Sequence, residues 1–143
     1  MKGEAPWFRL LDHTGDIAIL VGAATLPELY DAATRALFEV ILDVRTVEPK
    51  ERVEIRVEGA VDAEDLLVRY LSELLFLHDT AGWLFRGAEV GEIRPGAIEA
   101  AVVGEKFDPA RHAIQRQVKA VTYHRLLLSE DREGWSARVV LDL

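Results

Sequence analysis

A chain of 143 residues and 16.0 kDa, half of it apolar and 29% charged, has the size and composition of one globular domain and excludes intrinsic disorder. Twenty-five acidic residues against seventeen basic ones leave a formal charge of −8, which speaks against a main affinity for bare phosphodiester backbone. The absence of cysteine excludes disulfides, thiolate metal sites and a cysteine nucleophile.

Asparagine is also absent, Gln115 and Gln117 are the only side-chain amides, and the one methionine is Met1. Such depletion is expected where heat selects against deamidation and oxidation. No run approaches the ~20 apolar residues that span a bilayer. Met1 to Pro6 is polar, unlike a secretion signal, so the expected location is the cytoplasm and no membrane partner is expected.

In chain order, Trp7 to Leu11 reads as a strand, Asp12 to Asp16 as a turn and Ile17 to Val21 as a second strand. Thr25-Leu26-Pro27-Glu28 has the form of a capping box, with Glu28 reaching back to the Thr25 amide. Leu26, Leu29, Tyr30, Ala33, Leu37, Val40 and Ile41 then recur at helical spacing to about Leu42. Strict alternation of Val53, Ile55 and Val57 predicts a half-buried strand over 52–58. Asp62 caps a second helix, whose stripe runs from Leu67 to His78 and stops at Gly82. Leu84 to Ile93 and Ala97 to Val103 flank Pro95-Gly96, a type II turn pair. Val118 to Leu128 and Trp135 to Leu141 form a last hairpin. The order ββαβαββββ predicts one two-layer α+β domain over 1–143, a mainly antiparallel or mixed β-sheet with two α-helices packed on it.

Chemistry concentrates in a few places. Asp12-His13-Thr14-Gly15-Asp16 places two carboxylates and an imidazole in a tight turn, a donor set suited to a hard cation or simply to capping the turn. At the other end, Asp142 lies beside the α-carboxylate of Leu143 if that residue is the terminus, and two such negative groups invite a cation or an arginine. Lys119 falls in an apolar strand, where the ordinary reading is a solvent-facing side chain. The three tryptophans read as packing anchors and His78 as a boundary residue. No nucleophile elbow, phosphate-binding glycine loop or zinc spacing appears.

Leu11 to Asp16 resembles the DHTAD-like hallmark of the archease family, and the likeness runs the length of the chain. Thr25 to Leu29 is similar to the family's TLEEL, Val47-Glu48-Pro49 to VEP, and Asp65 to Leu75 to its DLL…ELL helix. Gly104 to Asp108, Val118 to Tyr123 and Val140 to Leu143 are similar to its GE-x-FD, VKA[VI]TY and [VI]-x-D-[IL] blocks, in order. The one departure in the hallmark is Gly15, where alanine is usual.

The resemblance implies an accessory protein of tRNA splicing, itself non-catalytic. Such a protein activates the GTP-dependent ligase that joins an RNA 2′,3′-cyclic phosphate or 3′-phosphate to a 5′-hydroxyl. It promotes the ligase's guanylylation and multiple turnover. By position it implies a divalent-metal site at Asp16, Asp142 and Leu143, with Lys119 a further candidate and Asp12 and His13 as support. All-oxygen donors suit Ca²⁺ or Mg²⁺ and, less selectively, Mn²⁺ or Zn²⁺. The expected partner is the ligase, with tRNA reached through it, while self-association is left open. Two alternatives stand beside it: a chaperone-like module for an RNA-modifying enzyme such as a tRNA methyltransferase, and a metal-dependent hydrolase using Asp16 and His13.

Overall fold

The computed structural model describes residues 5–143. It opens with a hairpin, β1 (Trp7–His13) and β2 (Asp16–Ala23), both longer than the sequence predicts. Asp12 and His13 belong to the ladder, so the connection shrinks to Thr14-Gly15. Gly15 sits at φ +80°, a left-handed conformation that costs glycine little and would strain the alanine usual in the motif. Helix α1 (Leu26–Ile41) starts at the predicted cap: the Thr25 hydroxyl oxygen accepts the Glu28 amide at 3.3 Å. Glu28 returns the bond by accepting from the Thr25 hydroxyl at 2.9 Å rather than from its backbone amide.

A short 3-10 turn (Val44–Thr46) leads to β3 (Glu51–Val57) and then to α2 (Ala63–Ala81), capped by Asp62 and ended by Gly82. The hairpin β4 (Trp83–Arg94) and β5 (Ala97–Lys106) turns through Pro95-Gly96. A long irregular connection follows, then β6 (Ala120–Val121), β7 (Leu127–Asp131) and β8 (Gly134–Asp142).

The α+β class, the two helices and the antiparallel character agree with expectation. The strands, however, divide into two sheets, and every pairing in them is antiparallel. One sheet runs β1-β2-β8-β6, with β7 also paired to β8; the other runs β3-β5-β4. The reason lies in α1, which packs on β2 of the first sheet and β4 of the second. Ten of its sixteen residues are buried, Leu29, Leu37 and Phe38 completely. A helix apolar on so much of its circumference needs cover on two sides. At about 1.5–3 kcal/mol per large buried side chain, its core residues dominate the join between the sheets.

The segment predicted as one strand over 118–128 is broken in two. Thr122 Oγ donates to Val140 O at 2.9 Å, Arg125 takes φ +52°, and the Tyr123 hydroxyl donates to the buried Asp65 carboxylate at 2.6 Å. The Thr122 bond still ties that residue to β8, whereas the Tyr123–Asp65 bond draws the segment after it off the sheet toward α2, so β8 pairs with β6 and, separately, with β7. One contiguous buried cluster joins both sheets and both helices. Among the described residues, no helix is long and apolar enough to cross a membrane.

Candidate metal centre

Register brings the two ends of the chain together. Asp16, the first residue of β2, is the direct cross-strand partner of Asp142, the last of β8. Directly opposed residues of an antiparallel pair project to the same face with Cβ atoms about 4.5–5.5 Å apart. Leu143 N–H donates to Gly15 C=O at 3.1 Å, and the Leu143 side chain packs on the core. The tail is therefore tied to the first loop. On the other side of β8, Lys119 N–H donates to Asp142 C=O at 2.8 Å, which anchors the Asp142 backbone from a third segment. Asp142 is exposed and Asp16 half-buried. Among the described residues, neither side chain has a hydrogen bond or an ion pair.

The other predicted residues separate by strand alternation. His13 is the register partner of Asp16 and shares its face, whereas Asp12 points to the opposite one. There Asp12 accepts from both Arg116 guanidinium nitrogens, at 2.7 and 3.3 Å, and that guanidinium holds its carboxyl below the usual range. Asp12 thus clamps the 107–119 connection, whose Gln115 amide also donates to Ile41 C=O at 2.7 Å. Lys119 precedes β6 and is exposed, as the ordinary reading has it. Its side chain lies on the α2 side, in a hollow lined by Ser72, Phe76 and Asp79, away from the carboxylate pair. His78 Nδ1–H donates to Trp83 C=O at 2.9 Å beside the core.

Among the described residues, no three His, Cys, Asp or Glu side chains cluster as a metal site. The donor set that fits a cation is narrower: two opposed carboxylates that make no ion pair among the described residues, and a terminal carboxylate if the chain ends at Leu143. Two like charges facing each other across a ladder are destabilising by themselves. All-oxygen donors of this kind match a hard divalent ion.

One polar centre could not be read from spacing. Glu105, at the end of β5, is buried at 4% exposure and accepts from the Glu48 amide at 2.7 Å, from His112 Nε2 at 3.0 Å and from Arg111. The buried His112 accepts the Asp108 amide on Nδ1 at 2.9 Å, which assigns its ring proton to Nε2. Burial pushes the Glu105 carboxyl up, but the Glu48 amide, His112 and Arg111 outweigh it and leave it below its ordinary value. The preceding residue is glycine for a steric reason: a Cβ on Gly104 would stand 1.9 Å from Leu84 O of β4. The Gly104 to Asp108 block is thus a structural anchor for the connection that leads to Lys119 and β6.

The sequence over residues 8–143 matches the model of the archease protein family (MTH1598/TM1083). The chain belongs to the archease family. It is 40% identical over 141 residues to protein archease of Methanopyrus kandleri, covering 96% of this chain and 99% of that one. Protein archease of Pyrococcus furiosus is 41% identical over 136 residues, 92% of this chain and 95% of the other. The solution structure of Methanobacterium thermoautotrophicum protein 1598 superposes with a TM-score of 0.72 at 32% identity, covering 95% of this chain and 98% of that one. The archease fold, with its two helices and antiparallel sheets, is therefore shared. Within it, the family's first and last sequence blocks meet at Asp16 and Asp142.

Proposed function

We propose that this archease is a non-catalytic activator of the GTP-dependent RNA ligase of tRNA splicing. The observation that carries the reading is the register pairing of Asp16 with Asp142, two carboxylates that make no hydrogen bond or ion pair among the described residues. Asp16 and Asp142, with the Leu143 carboxylate if it ends the chain, would hold a divalent cation. When bound, such an ion supplies charge neutralisation and orientation for a nucleoside triphosphate.

This chain's own residues supply rigidity and exposure. The β2–β8 ladder fixes the spacing of the two carboxylates, and the Leu143–Gly15 bond holds the tail against the loop. The exposure of Asp142 leaves the site accessible to a partner's own ligands. Asp12 and Arg116 hold the neighbouring connection in place from the other side.

The deciding experiment is ligase guanylylation, followed with and without this protein across a series of divalent metals. Metal-dependent stimulation by the wild type, lost in Asp16→Ala and Asp142→Ala variants that keep their fold, is expected. Normal stimulation by a well-folded double variant overturns the reading.

A second reading, a chaperone-like module for an RNA-modifying enzyme, draws on an apolar groove of about 520 Å³. It lies between the starts of α1 and α2 and the β4–β5 turn, where Val61 is 83% exposed. Light scattering of such a client, with and without metal, separates the two: protection that ignores metal and the two aspartates favours the groove.

A further inference from the structure

The outer face of the five-stranded sheet carries a pattern that neither the fold nor the carboxylate pair explains. Both helices pack on the opposite face, through residues such as Ile17, Ile19 and Val21. On the outer face a single row crosses four strands: Arg9 on β1, Leu20 on β2, Arg138 on β8 and Leu127 on β7. Leu127 is 55% exposed, and Leu11, on the same face of β1, is 40% exposed.

The two arginines differ from most cations of this acidic protein. Arg35, Arg45, Arg52, Arg69 and Arg111 each hold a carboxylate. Among the described residues, Arg9 and Arg138 have no ion pair; Arg9 lies 5.3 Å from the Trp7 ring centroid, and the buried Nε of Arg138 lacks an acceptor. Arg9 is exposed, whereas Arg138 is half-buried, and a half-buried guanidinium without a carboxylate carries a desolvation cost that an arriving carboxylate offsets.

We infer that this row is a protein-docking surface that receives an acidic amphipathic helix. Arg9 and Arg138 stand two strand spacings apart, about 10 Å. Residues i and i+7 of a helix are separated by about 10.5 Å along its axis and lie on one side. A helix laid across the strands with acidic residues at i and i+7 therefore meets both guanidinia. An apolar residue at i+3 or i+4 falls over Leu20. Arginine amid leucine side chains, with lysine and acids absent from the row, matches the composition of an interface core.

Nucleic acid fits less well. The row offers only two cations on a chain of net charge −8, and Trp7 has no free face for base stacking, since its ring occupies the space a Cβ of Gly22 would need and Arg9 lies over it.

The inference rests on the proposed function in taking the RNA ligase as the partner that presents this helix. The test is calorimetric titration of full-length protein into that ligase, using Arg9→Glu/Arg138→Glu and, separately, Leu127→Asp. Leu127 is surface-exposed, so its variant decides the matter if the arginine pair fails to fold. Affinity is expected to fall at least tenfold in each, with guanylylation stimulation recovered at high protein concentration; the Asp16→Ala loss is not recovered that way. Full-strength binding by both variants overturns the docking surface while leaving the ligase reading intact. No binding by the wild type overturns both. Binding of ligase-free tRNA by the wild type, lost in the arginine variant, overturns the helix in favour of RNA.

Discussion

Asp16 and Asp142 sit 126 positions apart in the chain and face each other as one rung of the β2–β8 ladder, with Leu143 N–H bonded to Gly15 C=O one step beyond. Opposed like charges at a rung cost roughly 0.2–1 kcal/mol. Removing one of them therefore has opposite effects with and without metal. Asp142→Asn is expected to leave the metal-free Tm unchanged or raise it by up to about 4 °C. It is also expected to abolish any stabilisation by millimolar Ca²⁺. Differential scanning calorimetry with EDTA and with Ca²⁺ reads both; a fall in the metal-free Tm would mean the carboxylate is already paired within the protein.

Asp12 belongs to the same sequence block and has a different job. Asp12→Ala releases Arg116, so the amides of Gln115 and Arg116 should exchange faster with solvent. Metal affinity should stay within a factor of about two, because Asp12 points away from Asp16. Hydrogen exchange with mass spectrometry and a Ca²⁺ titration check the two halves. A loss of metal binding equal to that of Asp16→Ala would place Asp12 among the ligands.

Glu105 makes stability depend on pH. Its carboxyl is held below its ordinary value of 4.5 in the folded protein, so its contribution is present above 4.5 and is lost as pH falls through the lower, folded value. Glu105→Gln should flatten this acid limb of the Tm curve. The neutral amide also leaves part of the demand of His112, Arg111 and the Glu48 amide unmet, so the variant is expected to lose roughly 1–3 kcal/mol at pH 7. Thermal denaturation between pH 3 and 7 measures the slope. Asp12 and Asp65, also held low by their partners, keep a residual acid dependence in the variant.

Gly104→Ala tests the anchor by sterics alone. The new Cβ meets backbone of β4, at Leu84 O, which no side-chain rotation relieves. A loss of about 3 kcal/mol or more, at the upper end for overpacked sites, is expected. Denaturant unfolding reads it, and a shift under 1 kcal/mol would mean that β4 yields at its bulge between Phe85 and Gly87.

The helix caps at Thr25 and Asp62, the alternation of β3 and the Pro95-Gly96 turn were legible in the sequence because each depends on contacts within a few residues. So, through the family's sequence blocks, were Asp16 and Asp142 as a pair. Tertiary structure decided what depends on partners far along the chain. The division into two sheets follows from α1 being apolar on two sides, a demand that periodicity reports without naming what meets it. The break at 122–126 follows from Tyr123 reaching Asp65, 58 positions away. Strand register turned Asp12 toward Arg116 and Asp16 toward Asp142, and it aligned Arg9 with Arg138, because a ladder fixes which side chains share a face only once both strands are in place.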